Sequence, residues 1–322
     1  MRIRDSVVVV TGASSGIGRA TALACAAHGA AVVLAARREE ALGEVAGECE
    51  AAGGSALAVP IDVADADAVE ELARRAVERF GRIDAWVNCA ALTAFAPFQE
   101  IPLEDFRRIL DVNIMGYVHG ARAALPYLRD QGKGVLIDVS SVVSAVPQPY
   151  THAYSMTKAA IRVLGASLRQ ELWLDGARGV KVCTVLPATI DTPLFDHAAN
   201  YTGRKAKALP PVYSVERVAR TIVNLIRVPR REVIVGPMAR SLVMQMKVAP
   251  GMTERQMALM VDKAHLDRAT PAPASDGNLH KPAPGAGSVD GGWHGKRRTA
   301  MRRAASAGLL GGAAAIAYRW AR

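Results

Sequence analysis

The sequence predicts an α/β protein: a doubly wound parallel sheet of seven strands with helices on both faces, followed by a helical C-terminal extension. Three observations carry this. Short β-branched apolar runs recur through the first three quarters of the chain, the pattern of strands buried on both faces. Longer stretches with helical spacing separate them, and that alternation closes as right-handed crossovers over a parallel sheet. A glycine-rich turn also stands directly between the first strand and the first helix, the place where such sheets build their ligand-binding edge.

The elements follow in order. SVVVVT (6–11) is the first strand, and an alanine-rich helix runs from the turn after it to about Gly29. AVVLAA (31–36) is the second strand, followed by a polar helix; ALAVPID (56–62) is the third, followed by a helix over about 65–80. DAWVNCA (84–90) is the fourth, and two helical stretches span about 103–129 with a turn near Gly116. GVLIDVSS (134–141) is the fifth, then a long helix from about Thr151 to Asp175, then VKVCTVLP (180–187) as the sixth. A helix over about 214–228 and EVIVG (232–236) complete the sheet.

The organisation expected is a catalytic domain over 1–240, a helical extension over 241–268, a Pro/Gly-rich disordered linker over 269–295 and a basic, then apolar, tail over 296–322. Of 322 residues half are apolar, enough for one large core or two smaller ones. The net charge of +10 is mostly local, since nine basic and two acidic residues lie from Arg268 onward. The body is therefore only mildly basic, and no base-stacking aromatics accompany the tail arginines, which argues against nucleic acid. The cysteines Cys25, Cys49, Cys89 and Cys183 are scattered and read as reduced thiols of a cytoplasmic protein, and no histidine spacing suggests a metal. No secretory signal and no apolar run of 18 residues is present. In the tail, five basic residues precede an apolar stretch of about 15 residues, roughly 22 Å of helix, too short to span a bilayer. Its alternatives are a peripheral contact with anionic lipid, or a helix packed on a partner subunit, or disorder.

TGASSGIG (11–18) supplies the expected phosphate cradle. Gly12 permits the turn off the strand, and Gly16 and Gly18 leave room beside backbone and helix; Ser14, Ser15 and Ile17 complete the candidate contacts. The free N–H groups and dipole of the helix start then face a pyrophosphate. Strand two ends in Arg37-Arg38 in place of an acidic residue, and arginine there pairs with a 2′-phosphate, which points to NADP(H). Asp62-Val63 is placed to meet the adenine edge, with an N-cap for the next helix as the alternative.

Tyr154 and Lys158 stand one helical turn apart, thirteen residues beyond Ser141, which follows strand five. An ammonium on the same helix face, together with the positive charge of a bound oxidised nicotinamide, favours the phenolate, bringing Tyr154 toward the range of a general acid/base. Ser141 is placed to hold a substrate oxygen, and Asn113 to bond a helix carbonyl or a water leading to Lys158.

TGASSGIG, Asn113, Ser141 and the run from Tyr154 to Lys158 resemble, in order and spacing, the motifs of the short-chain dehydrogenase/reductase family over roughly residues 5–236. The resemblance implies a Rossmann-like domain, an Asn113–Ser141–Tyr154–Lys158 tetrad, homodimers or homotetramers, and hydride transfer between NAD(P) and an alcohol or carbonyl. It adds Asn88, Ala90, Pro187, Thr189 and Thr192 as cofactor contacts, and a ribose contact for Lys158. Two departures stand out: the family's Asn-Asn-Ala-Gly is Asn88-Cys89-Ala90-Ala91, and its Pro-Gly is Pro187-Ala188. The extension looks like that of some bacterial members of unknown substrate.

Residues 189–213 read as a mobile substrate lid carrying Phe195, His197, Tyr201 and the cations Arg204, Lys205 and Lys207. Val143, Ala145, Pro147, Pro149 and Tyr150 form the expected opposite wall, which suits an apolar alcohol or carbonyl. The alternatives to an enzyme are a cofactor-sensing protein without turnover and a membrane-tethered scaffold acting through the tail.

Overall fold

The structure, a computed structural model, describes residues 1–285 and 287–294. The tail over 296–322, and with it the expected membrane contact, lies outside the described residues.

The chain alternates strand and helix from the start: β1 (Val7–Thr11), α1 (Gly16–Ala26), β2 (Ala31–Ala36), α2 (Glu39–Ala51), β3 (Ser55–Pro60), α3 (Ala66–Phe80) and β4 (Ala85–Asn88). A two-residue strand β5 (Ala94–Phe95) precedes α4 (Leu103–Leu110) and α5 (Gly116–Asp130); then come β6 (Gly134–Val139), α6 (His152–Leu174) and β7 (Val180–Pro187). The lid holds β8 (Ala199–Asn200) and β9 (Arg204–Ala206), and α7 (Val215–Arg227) leads to β10 (Glu232–Val235). The extension is α8 (Pro237–Val248), α9 (Pro250–Met260) and β11 (Leu266–Pro271).

The main sheet is parallel, in the order β10-β7-β6-β4-β1-β2-β3. Alternation along β1 sends Val8 and Val10 into a core with α1, α2 and α7, and Val7 and Val9 into a second core with α3, α5 and α6. The strand order reverses direction between β1 and β4, so the crevice at their carboxyl ends is left uncovered by helices.

Two sequence expectations need correction. There is no turn near Gly116: Asp111–Met115 form a π-helical stretch joining α4 to α5, and Gly116 is itself helical at φ −56°. The wide turn re-aims the side chains it carries, Asn113 among them. The second correction concerns 269–295. Its described residues are not a loose linker but are packed on the body: β11 pairs antiparallel with β9, and the chain beyond it bonds to the lid, to the end of β2 and to the glycine-rich turn. Composition marks this segment as unable to build a core of its own. It is fixed instead by backbone hydrogen bonds and arginine donors that composition does not display. No helix among the described residues is long and apolar enough to cross a membrane.

Candidate active site

One cavity of about 700 Å³ runs along the carboxyl ends of the strands. Gly12, Ser14, Ser15, Gly16, Ile17, Gly18, Arg37, Arg38, Asp62, Val63 and Ala90 line it, as do Ser141, Tyr154, Lys158, Pro187 and Thr189, and Thr192 lies against Gly16, where a Cβ would meet the threonine methyl at 3.3 Å. The structure thus brings together residues that sequence order spreads over 181 positions, from Gly12 to Thr192.

The glycine-rich turn is shaped by protein contacts as well as by what it faces. Gly12 has φ +68°, and a Cβ there would lie 2.8 Å from the Ala90 backbone; one on Gly18 would lie 2.2 Å from the Gly12 carbonyl oxygen. The Thr11 hydroxyl accepts from the Cys89 and Ala90 amides at 3.0 and 3.3 Å, fastening the loop after β4 to the turn. Thr11 escaped the sequence reading because a threonine ending a strand looks like any β-former.

Arg38 donates to the Ser14 hydroxyl at 3.2 Å, so a guanidinium and a hydroxyl meet at the start of the turn. Burial lowers the pKa of both Arg37 and Arg38, which remain cations. Asp62 accepts from the Ala64 amide at 3.0 Å and pairs with Arg108; the cap of α3 is Asp65, not Asp62.

At the other end, α6 presents Tyr154 and Lys158 to the cavity, and the Ser140 hydroxyl holds the helix by donating to the Lys158 carbonyl at 2.7 Å. The Ser141 and Tyr154 side chains both line the cavity, and the Ser141 hydroxyl accepts from the Val143 amide at 3.3 Å. Lys158 is 1% exposed; its Nζ donates to the Val139 carbonyl at 2.8 Å and the Tyr117 hydroxyl at 3.2 Å, and sits 5.4 Å from the Tyr154 ring centroid. Tyr117, itself donating to Val139 at 2.9 Å, is a positioning residue the sequence reading missed. Its one signal was its place four residues after Asn113 on the same helical stretch.

The electrostatics differ from expectation. Burial pushes the Tyr154 phenol up to about 12, against the pull of the Ser141 hydrogen bond. Burial also brings the Lys158 ammonium down to about 8. The lysine was expected to make the phenol more acidic; instead its donors turn to Tyr117 and Val139, and desolvation dominates both groups.

Two predicted residues stand behind the cavity, not in its lining. Asn113, fully buried, pairs with the Leu92 backbone in both directions (2.7 and 2.8 Å) and donates to the Thr157 hydroxyl at 3.1 Å. It bonds a loop carbonyl, not a helix carbonyl, and so braces α6 against the loop after β4. Asn88, expected to contact the cofactor, points into the sheet: it accepts from the Trp86 indole at 2.8 Å and donates to the Asp138 carboxyl at 2.9 Å. A buried amide must satisfy its polar atoms, and a carboxyl on the neighbouring strand outcompetes the cleft. The other oxygen of Asp138 has no partner, nor does the Thr184 hydroxyl on the adjacent strand, and burial raises Asp138 to about 7.

The substrate end is apolar. Val143, Val146, Phe195, Leu209, Met257 and Met260 line it, so α9 of the extension forms a wall that the sequence reading did not assign. Of the expected wall, Val143 lines the cavity, Ala145 and Tyr150 pack behind it, and Pro147 and Pro149 are not among its lining residues. The lid supplies Phe195 and His197, whereas Tyr201 turns away to bond Asp105. Arg204 pairs with Asp262 at 2.8 Å and Lys207 pairs with Asp267, so these cations fasten the extension to the lid.

The sheet order, the crevice and the glycine-rich turn define a nucleotide-binding protein of Rossmann-like fold. The short chain dehydrogenase family model matches residues 6–201. YxnA, an uncharacterized oxidoreductase of Bacillus subtilis, is 36% identical over 270 residues, 83% of this chain and 76% of that protein. Lmo0432, an uncharacterized oxidoreductase of Listeria monocytogenes, is 34% identical over 74% of this chain and 98% of its own. Among solved structures, an alcohol dehydrogenase from Thermococcus sibiricus, complexed with 5-hydroxy-NADP, superposes with a TM-score of 0.63 at 30% identity, covering 71% of this chain and 95% of that one. A Burkholderia phymatum short chain dehydrogenase/reductase in complex with NAD reaches 0.72 at 25% identity over 79% and 97%. This chain belongs to the short-chain dehydrogenase/reductase family of oxidoreductases.

Proposed function

We propose that the protein is an NADP(H)-dependent enzyme that interconverts an apolar carbonyl compound and its alcohol. The observation that supports this most is that Ser141, Tyr154 and Lys158 line the same cavity as Arg37, Arg38 and the glycine-rich turn, beside an apolar wall. The residues suit a dinucleotide: the turn and Thr192 for the pyrophosphate, Arg38 with Ser14 for a 2′-phosphate, Lys158 for the nicotinamide ribose. The nicotinamide supplies the hydride. Ser141 holds the substrate oxygen, and Tyr154 donates the proton that oxygen needs. Burial raises the phenol pKa to about 12, so Tyr154 carries its proton at neutral pH and can supply it to a carbonyl oxygen. Asn113 and Tyr117 keep α6 and Lys158 in position.

The test is a panel of aldehydes, ketones and alcohols with NADPH and NADH. Turnover of apolar carbonyls with NADPH preferred is the expected result; no turnover of any member would refute the reading. Arg38→Ala should remove most of the discrimination against NADH, read as the ratio of kcat/KM values.

The pH profile follows from the lysine. With its pKa lowered to about 8, Lys158 is an ammonium below that pH and neutral above it. Reduction, read as kcat/KM, should therefore be level through neutral pH and fall above about pH 8. A rate that climbs through that range would contradict the assignment.

A further inference from the structure

The chain beyond β11 crosses the cofactor half of the cleft and is tied down on both sides of it. It leaves the lid where Asn200 and Ser275 exchange backbone hydrogen bonds of 2.8 and 3.0 Å and the Asn278 amide donates to the His197 carbonyl at 3.0 Å. It reaches the opposite wall at the end of β2. There Arg37 donates to the carbonyls of Asn278 and Leu279 at 2.6 and 3.0 Å, and Arg38 to that of Gly285 at 3.1 Å. It then passes over the glycine-rich turn, where the Ser288 carbonyl accepts from the Gly16 amide at 2.9 Å. It returns to the root of the lid, where the Asp191 carboxylate accepts from the amides of Gly291, Trp293 and His294 at 3.0, 2.8 and 2.8 Å. Asn278, Pro282 and Ala283 line the same cavity as Arg37, Asp62 and the glycine-rich turn, so the space for a ligand persists beneath the crossing.

We propose that the described residues 272–285 and 287–294 are a strap over the dinucleotide, and that cofactor enters and leaves only when it lifts. This rests on the reading of the cleft as a dinucleotide site, though not on which dinucleotide it holds. The fastening is suited to opening. Of the strap's described residues only Leu279 is fully buried; Val289 packs at the edge of the core, Trp293 meets the Phe195 ring edge-on, and the rest of the attachment is hydrogen bonds, each of which water replaces at small net cost. The strap also explains why Arg37 and Arg38 face carbonyl oxygens: the guanidiniums that line the cleft are also its latch.

Stopped-flow nucleotide fluorescence on three chains tests this: the full chain, one ending at residue 294 and one ending at residue 271, each with NADPH and with NADH. Both association and release should be about tenfold or more faster in the chain ending at 271, as for removal of a gating lid, and unchanged in the chain ending at 294. In the full chain, Gly287→Ala should act in the same direction, because a Cβ there would lie 2.5 Å from the Ser14 carbonyl oxygen and force the strap outward. That variant decides the matter should the chain ending at 271 not fold. Equal rates in all chains overturn the strap, as does equal acceleration in both truncations. Faster association with unchanged release also overturns it, since that marks a competitor for the site and not a cover. Failure of every chain to bind either nucleotide would instead sink the functional reading beneath it.

Discussion

Replacing Tyr154 by phenylalanine should lower kcat for carbonyl reduction by about 10²–10⁴-fold, the range of a general acid, while NADPH binding changes little. Ser141 and Tyr154 line the same cavity, and the phenol is the proton source that cavity offers. Phenylalanine keeps the ring, so the packing of α6 and the position of Lys158 are undisturbed. Turnover and nucleotide binding, measured on the same preparation, separate the outcomes. Loss of both together would mean that the hydroxyl serves nucleotide binding or the fold of the site and not proton transfer alone, and retained turnover would remove Tyr154 from the chemistry.

The second large effect lies in the sheet. Asp138 is wholly buried, shares one oxygen with Asn88 and leaves the other without a partner beside Thr184. Its folded pKa, raised by burial to about 7, stands above the ordinary carboxyl value of 3.8. The native state therefore holds this proton more strongly than the unfolded chain does. The associated stability is complete below about pH 4, is lost as pH rises through 7, and is absent above it. The difference corresponds to about 4 kcal/mol. Asp138→Asn keeps the acceptor for Asn88, adds N–H donors toward the Thr184 hydroxyl and leaves no charge to bury. Thermal or urea unfolding at pH 8 should show this variant more stable than the parent, with the gain vanishing near pH 4. A loss of stability at pH 8 would show that the carboxylate is paired in a way the hydrogen bonds do not reveal.

Most of the fold was legible in the sequence because doubly buried strands leave an unmistakable trace: VVVV, AVVLAA and VKVCTVLP have few other uses. The cleft residues were legible for a related reason, since glycine spacing and a tyrosine–lysine pair report backbone shape and helix face directly. What stayed hidden depends on partners far along the chain. Asn88 reads as a cleft residue until Asp138, fifty positions later, is set beside it. Asn113 lies in a π-helical stretch, which no periodicity of 3.6 signals. The segment after Pro271 reads as disorder because its attachment consists of its own backbone and of arginines more than 200 residues earlier. The burial that raises Tyr154 was not foreseen because charge proximity is visible in a sequence and desolvation is not.

The central claim is that the cleft between β1 and β4 moves hydride to a carbonyl carbon while Tyr154 delivers the proton. Reduction of an apolar aldehyde or ketone with NADPH deuterated at the transferring C4 position, in ordinary water, tests it most directly. Deuterium on the carbinol carbon of the product, formed by the parent chain and lost with Tyr154→Phe, is the predicted result. Product with hydrogen alone at that carbon, or equal deuterium transfer by the phenylalanine variant, would contradict it.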